Sequence, residues 1–312
     1  MEATIVTTPP DDLAARRSGF IAGLVAYFTW GLLTLYWKHL HRFDAFELVG
    51  WRIISAAIVM AGVLTATHRW AHLRPVLDNR RLLGRVALAA LLLTTNWTTY
   101  VWAVVHGHII ETALGYFIAP LGTMAIGVIA FGEHLRRAQR IAIALAVVAL
   151  TILTVSYGRV PVAALLLAVS WSLYGGLKKG VPLTAVESMS AESFIVLVPA
   201  IVTVIARAGG ASSVSGSASA GEWVLVAFTG VATVVPLMLF AYAAQRTPLT
   251  VLGPLQYLIP GINFLLGWLV FHEKLTVTAL TGFALVWVGL AMVTIDTVRI
   301  QRSSALSTVP AV

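Results

Sequence analysis

The sequence contains no cysteine, which excludes disulfides, thiolate-bound metals and thiol redox chemistry. Charged residues are also scarce, at 11% of the 312 positions, and only 13 residues are acidic, whereas 59% are hydrophobic. Soluble domains usually carry about 25% charged residues. The composition therefore predicts a polytopic membrane protein. Its net charge of +8 is explained by basic loops that face anionic lipid headgroups rather than by nucleic acid.

Common catalytic motifs are missing as well. There is no glycine-rich phosphate loop, no paired-aspartate motif for prenyl diphosphates and no nucleophile elbow. The histidine pairs His39/His41 and His106/His108 lack a third ligand at helical spacing, so no metal site is predicted. We therefore expect neither an enzyme nor a cofactor.

Long apolar runs dominate what is present. A helix of about 20 apolar residues crosses a hydrocarbon core of ~30 Å, and backbone groups in lipid must be hydrogen-bonded within the segment. Ten stretches of that length predict ten helical spans. They cover residues 19–38, 46–66, 83–105, 112–131, 138–156, 160–177, 188–206, 222–244, 250–271 and 275–296.

The second half of the chain repeats the first at an offset of 140 residues, since Pro120 and Glu133 fall on Pro260 and Glu273. Each half holds five spans, and an odd number of crossings ends on the other side of the membrane. The two copies therefore have opposite orientation, an arrangement typical of transporters. The predicted divisions are a disordered cytoplasmic N-terminus (1–18), the two repeats (19–157 and 158–297) and a cytoplasmic tail (298–312).

Lysine and arginine positions predict the orientation. An internal N-terminus places 15 of the 21 basic residues on the cytoplasmic side and five outside. The positive-inside rule then favours two cytoplasmic termini in a plasma (inner) membrane protein. Arg16 and Arg17 precede an apolar run that is too long for a cleaved signal, so we interpret it as a retained anchor. The Gly/Ser-rich stretch Gly209 to Gly221 becomes an external loop.

Two ionisable residues, Arg52 and Glu192, lie well inside predicted spans and are equivalent under the offset. A charge at that depth is costly, which indicates a partner or a water-filled cavity. We expect Arg52 to pair with Glu111 outside and Glu192 to pair with Arg246 inside, as two gates. Structural ion pairs that only orient helices are the alternative reading.

The other repeated residues have more local interpretations. Glu133 and Glu273 each follow a span, and we expect each to stabilise the positive end of the next helix. Pro120 and Pro260 lie in mid-span and predict helix kinks. The sequence leaves open whether those kinks serve transport or packing.

Polar and aromatic residues at membrane depth are the candidates for a substrate cavity between the halves, because such groups face protein or water rather than lipid. Core packing and interfacial aromatic belts are the alternative for about half of them. The predicted cavity residues are Trp30, Asn96, Tyr116, Trp171, Gln256 and Tyr257. Spans 5 and 10 are mostly aliphatic, and we expect them to be peripheral.

Several ordered motifs from Gly19 to Asp296 resemble the RarD branch of the EamA family, in the drug/metabolite transporter superfamily. They are Trp51-Arg52, Asn96-Trp97, Trp102-Ala103-Val104, Glu111, Leu114 to Leu121, Pro236-Leu237, Arg246, Gln256-Tyr257 and Pro260. The resemblance implies ten transmembrane helices in two inverted five-helix EamA repeats, with a central cavity lined by spans 1–4 and 6–9. Two departures remove polar groups: Trp51 replaces a usual histidine and Ala119 a usual asparagine.

The fold class predicted is thus an all-α polytopic membrane protein. The predicted function is secondary transport, with export of small amphipathic metabolites or chloramphenicol-type drugs by alternating access. Alternatives are a membrane-embedded enzyme acting on lipid-linked substrates and a non-transporting membrane partner protein. Expected partners are a small-molecule substrate and the lipid bilayer, and a homodimer is left open.

Overall fold

The computed structural model describes residues 10–132, 134–178, 181–246 and 255–307. In this part of the chain the secondary structure is helical. The α-helices are α1 (Pro10–His39), α2 (Ala45–Ala66), α3 (Arg74–Asp78), α4 (Arg80–Val105), α5 (Ile109–Phe131), α6 (Arg137–Tyr157), α7 (Val162–Lys178), α8 (Ala185–Ile195), α9 (Leu197–Arg207), α10 (Val214–Ser217), α11 (Ala220–Arg246), α12 (Leu258–Leu265) and α13 (Val277–Ser307). A 3₁₀ turn, Trp70–Leu73, precedes α3, and a π-helical turn, Leu266–Val270, follows α12.

Seven of these helices are long and apolar enough to cross a membrane, judged within the described residues. The helices α8 and α9 together make an eighth candidate, bent by 44° between them. Pro199 is the third residue of α9, where its missing N–H and its ring interrupt the helix. The helix α7 and the segment Leu258–Val270 are shorter apolar helices. The chain is therefore an all-helical multi-span membrane protein.

Both ends of the described chain are more helical than predicted. The helix α1 begins at Pro10, so residues 10–18 are helical rather than disordered. At the other end, α13 continues beyond the predicted span to Ser307.

Two compact units make up the fold, and each takes segments from both sequence repeats. The first unit comprises Met1–Arg80 and Leu183–Ile262, and the second comprises Arg81–Pro182 and Asn263–Val312. In the first unit α1 and α2 pack on α11, and α2 also packs on α9. In the second, α5 packs on α7 and α6 packs on α13. A sequence repeat is therefore not a packing unit by itself.

Small residues permit the close helix contacts of the second unit. A Cβ atom on Gly115 in α5 would lie 2.8 Å from the carbonyl oxygen of Ala164 in α7. A Cβ atom on Gly282 in α13 would lie 2.8 Å from Leu153 in α6. Small residues at such crossings let helix backbones approach in a membrane. The α6 span is only 22% buried, compared with 56% for α2, α4 and α5, which agrees with a peripheral span 5.

Candidate functional site

A polar cluster lies between α4 and α7 in the second unit, around the buried side chain of Asn96. Its amide nitrogen donates to the carbonyl oxygen of Leu167 at 3.1 Å and to Ser170 Oγ at 3.0 Å. Its amide oxygen accepts a hydrogen bond from the Tyr116 hydroxyl at 3.0 Å. Asn96 is thus satisfied as a donor and as an acceptor by three partners. The hydrogen bond to Asn96 fixes the position of the Tyr116 hydroxyl.

Trp171 extends this polar cluster with an accessible aromatic ring. The rings of Tyr116 and Trp171 are perpendicular, with centroids 6.3 Å apart, and Tyr100 lies 6.0 Å from Tyr116 on another side. Trp171 is 39% exposed. The structure therefore brings together three of the six predicted cavity residues, Asn96, Tyr116 and Trp171. Ser170 was not predicted, because a serine in an apolar helix gives no distinct signal.

The first unit contains an aromatic cluster between α1 and α11. Trp30 lies 5.6 Å from Tyr27 and 6.1 Å from Phe240, and Tyr27 lies 5.7 Å from Phe240. These edge-to-face and tilted arrangements are the favoured geometries of aromatic pairs. Gln256 and Tyr257 are half-buried in the turn before α12.

The 140-residue offset relates these two clusters residue by residue. The helix pair α4/α7 corresponds to α1/α11, and each pair is in contact within its own unit. Where α4 and α7 carry hydrogen-bonding residues, α1 and α11 carry aromatic or apolar residues. The equivalent pairs are Asn96 and Pro236, Tyr100 and Phe240, Leu167 and Tyr27, and Ser170 and Trp30.

The two repeated prolines differ in position. Pro120 lies in the interior of α5, where a proline removes a helix hydrogen bond. Ser172 donates to the neighbouring carbonyl oxygen of Ala119 at 2.9 Å. Pro260 is the third residue of α12. In that first turn a proline costs no hydrogen bond within α12 itself, and the kink expected at Pro260 stays a prediction.

Arg52 is buried in α2 and contacts polar and aromatic groups. Its Nε donates to Thr233 Oγ1 at 2.9 Å, and its guanidinium carbon lies 5.4 Å from the ring centre of Trp37. A cation above an indole face is stabilised by the ring quadrupole. Glu111, the expected partner of Arg52, belongs to the second unit, so that pairing stays a prediction.

Glu111 has partners within its own unit. Its buried carboxylate forms an ion pair with Arg159 and lies 3.7 Å from His108 Nδ1. Burial lowers the pKa of His108, the Glu111 carboxylate opposes this effect, and Arg159 adds to it. Sequence reasoning missed Arg159 as a partner, although the charge pattern placed Glu111 and Arg159 on the same face of the membrane.

Glu192 and Arg246 contact different groups. Ser188 Oγ donates to Glu192 Oε1 at 2.8 Å. The guanidinium of Arg246 lies 3.7 Å above the Tyr242 ring and donates to the Tyr242 carbonyl oxygen at 3.4 Å. A Glu192–Arg246 ion pair is not among the contacts of the described residues.

Glu273 contacts the N-terminus of α5, a helix distant in sequence. Its two carboxylate oxygens accept hydrogen bonds from the backbone N–H groups of Ile109 at 2.7 Å and Ile110 at 2.8 Å. These are the first residues of α5, whose N–H groups have no intrahelical partner. Glu273 thus stabilises the start of α5, a contact that was not predicted, and its effect on the dipole of the next helix stays a prediction. Glu133 lies outside the described residues.

Two further buried carboxylates, Glu47 and Glu187, are equivalent under the offset and were not predicted. Glu47 in α2 accepts hydrogen bonds from Val214 N at 2.8 Å and from Ser215 N at 3.2 Å. Glu187 in α8 lies 2.8 Å from His72 Nδ1. Glu47 in the first repeat therefore holds the segment after α9, and Glu187 in the second repeat holds the segment after α2.

Comparison with known proteins identifies the family. The EamA-like transporter family matches residues 17–155 and 159–295. Protein RarD of Streptomyces exfoliatus is 40% identical over 289 residues, which are 93% of this chain and 92% of that protein. The uncharacterized transporter YojE of Bacillus subtilis (strain 168) is 35% identical over 93% of this chain and 98% of its own length.

One solved crystal structure shares the fold. It superposes with a TM-score of 0.56 at 19% sequence identity, and the match covers 90% of this chain and 98% of that one. The resemblance to the RarD branch is confirmed by the sequence matches. The family consists of transporters rather than enzymes, in agreement with the missing catalytic motifs. The chain is therefore a multi-pass membrane protein with two EamA domains, and it belongs to the EamA-like transporter family.

Proposed function

We propose that this chain is a secondary transporter that exports small amphipathic molecules of the chloramphenicol type by alternating access. The observation that carries the proposal is the hydrogen bond from Tyr116 to the buried Asn96. Polar groups at membrane depth are expensive and mark substrate pathways. We propose the hydroxyl that this hydrogen bond orients as a polar contact for the substrate.

The neighbouring Trp171 defines the apolar half of the substrate. Its partly exposed ring lies next to Tyr116, so a molecule with an aromatic or aliphatic body and one N–H or O–H donor fits this cluster. Cavities of this kind are mostly apolar, with a few placed polar groups that fix orientation. Trp30, Gln256 and Tyr257 are proposed as further contacts.

The proposed topology has ten spans in the inner membrane and two cytoplasmic termini. Seven long candidates, the bent α8–α9 pair and two shorter apolar segments support this proposed count. A 17-residue helix such as α7 is within the range that spans a bilayer. Reporter tags at the two termini and in the connection between α9 and α11 test the orientation, and an external C-terminus would overturn it.

The two gate pairs remain part of the proposal. We propose that Arg52–Glu111 and Glu192–Arg246 are ion pairs of alternate states, since alternating access requires one closed side at a time. Glu192→Gln and Arg246→Gln should then increase the labelling of single cysteines introduced in the connection 181–184. The native chain has no cysteine, which keeps that assay free of background. Unchanged labelling in both variants would remove the inner gate.

Flux in reconstituted proteoliposomes tests the transport function directly. A panel of amphipathic drugs and metabolites, including chloramphenicol, is presented to vesicles that contain the wild type, Tyr116→Ala or no protein. We expect at least one compound to move in wild-type vesicles only. If every compound crosses at the same rate in all three preparations, the chain does not transport that class.

A further inference from the structure

The connection between α2 and α4, residues 67–79, lies at the membrane boundary. It joins two helices that each qualify as a span, Ala45–Ala66 and Arg80–Val105. Within this connection, the 3₁₀ turn Trp70–Leu73 and the short helix α3 follow directly after the end of α2. The segment can therefore reach neither the hydrocarbon centre nor bulk water far from the surface.

Three contacts within the first unit hold this connection in place. His72 Nδ1 lies 2.8 Å from a carboxylate oxygen of Glu187 in α8. The Trp70 ring stacks on Phe194, with centroids 5.7 Å apart and an angle of 4° between the ring planes. The indole N–H of Trp70 also donates to Thr65 Oγ1 at 3.0 Å. The side chains presented by this connection are thus on a fixed backbone.

Those side chains combine positive charge with exposed apolar area. Arg69, Arg74 and Arg80 are exposed, and none of them forms an ion pair with a described residue. Asp78 is the only acidic residue from position 67 to position 80. Trp70 is 47% exposed and Leu77 is 71% exposed. Aromatic rings and arginines are enriched at the headgroup level of a bilayer.

The equivalent connection of the second repeat, residues 207–219, is also held by a buried glutamate but lacks the three exposed arginines. Glu47 holds residues 213–215 as Glu187 holds His72. Its arginine, Arg207, is paired with Asp44 at 3.0 Å. At the positions equivalent to the three arginines, this connection has small or apolar residues. They are Gly209, Val214 and Ala220.

We propose that Arg69, Arg74 and Arg80, with Trp70 and Leu77, form a binding site for the headgroup of an anionic phospholipid. The guanidinium groups bind the phosphate of the headgroup by charge-assisted hydrogen bonds. The Trp70 and Leu77 side chains contact the upper acyl chains. This site is independent of the transported substrate and belongs to one of the two pseudo-equivalent connections.

Native mass spectrometry of the full-length protein in a neutral detergent tests the site, with phosphatidylglycerol and phosphatidylcholine as the probes. We expect the wild type to prefer phosphatidylglycerol. Arg69→Gln/Arg74→Gln should lower the affinity for phosphatidylglycerol about 25-fold, at about fivefold per arginine near a headgroup. Leu77→Ser should lower it less, and millimolar inorganic phosphate should not displace the lipid.

The matched control is Arg137→Gln/Arg140→Gln, which removes the same charge from two exposed arginines at the start of α6. This control should keep the preference for phosphatidylglycerol. Equal losses in the two double variants, or no preference in the wild type, would overturn the site. Displacement by free phosphate would assign the arginines to a soluble anion instead.

Hydrogen exchange provides a second measurement that needs no variant. Wild-type protein in phosphatidylglycerol nanodiscs should exchange more slowly in peptides that cover residues 67–80 than in phosphatidylcholine nanodiscs. Peptides that cover 207–220 should not change. The same exchange in both lipids would contradict the proposal even if the arginine variants do not fold.

Discussion

The α4–α7 contact and the α1–α11 contact are equivalent in sequence but opposite in chemistry. The first is organised by Asn96, which makes three hydrogen bonds with Leu167, Ser170 and Tyr116. The second is a group of aromatic rings around Trp30. Equivalent pairs of helices can therefore meet through different chemistry, by hydrogen bonds in one unit and by aromatic rings in the other. We propose that the first contact offers hydrogen-bonding groups to a substrate and the second offers apolar ones.

The largest effect should come from Asn96→Ala. This change removes three hydrogen bonds, including the one that holds the Tyr116 hydroxyl, and a hydrogen bond contributes about 0.5–1.5 kcal/mol net. We expect a lower melting temperature in detergent and loss of transport. Asn96→Gln is the control, because it keeps an amide donor and an amide acceptor without adding a charge. A variant Asn96→Ala with normal melting and normal transport would show that the cluster has no structural or functional role.

Removal of the two equivalent carboxylates should have unequal effects on stability. Glu47 is fully buried and accepts hydrogen bonds from Ser213, Val214 and Ser215, whereas the His72 partner of Glu187 is half exposed. Glu47→Ala should cost about 2–3 kcal/mol and Glu187→Ala about 1 kcal/mol. Thermal melting of both variants measures the difference. A larger effect for Glu187 would reverse this ranking.

Trp30→Ala tests the role of the aromatic cluster between α1 and α11. Aromatic pairs contribute about 0.5–1.5 kcal/mol beyond their buried area, and Trp30 contacts both Tyr27 and Phe240. We expect a higher KM for aromatic substrates and a smaller change for substrates without a ring, measured by proteoliposome flux. Trp30→Phe should restore most of the affinity. An equal change for both substrate classes would argue against a ring-binding role.

The smallest effect should be a pH dependence at His108. Burial lowers its pKa below the ordinary value, which is about 6.5, so the unfolded chain binds this proton more readily. The contribution of His108 to the free energy of unfolding is therefore fully present above pH 6.5. It decreases as the pH falls from 6.5 to the lower pKa of the folded protein. Melting between pH 8 and pH 5 should show this loss, and His108→Asn should reduce it. An identical pH profile in both proteins would exclude His108 as the cause.

Much of the fold follows from local sequence signals. The predicted spans 46–66 and 83–105 agree with α2 and α4 within three residues, because the apolar runs end at polar or charged residues. The bend at Val196 was not predicted, although Pro199 supplies its cause. The count of ten spans is not established by the described helices.

The site was only partly predictable for a physical reason. Polarity at membrane depth selected Asn96, Tyr116 and Trp171, and these three lie next to one another, whereas their contact with a substrate stays a proposal. The partners of Glu111 and Glu273 depend on which helix ends meet in space, and Glu273 contacts a backbone 164 residues away. Helical periodicity carries no information about such contacts. Arg159 and the α5 N-terminus therefore became visible as partners only in the structure.

Substrate counterflow by Tyr116→Phe isolates the role of the hydroxyl in transport, because this change removes one hydroxyl and keeps the ring. For a substrate that carries an N–H or O–H donor, we expect at least a ~10-fold loss of kcat/KM, equivalent to about 1.4 kcal/mol. Tyr242→Phe, which removes the hydroxyl of an exposed tyrosine in α11, should transport like the wild type. Equal counterflow by the wild type and both variants would contradict a role for the Asn96–Tyr116 cluster in substrate binding.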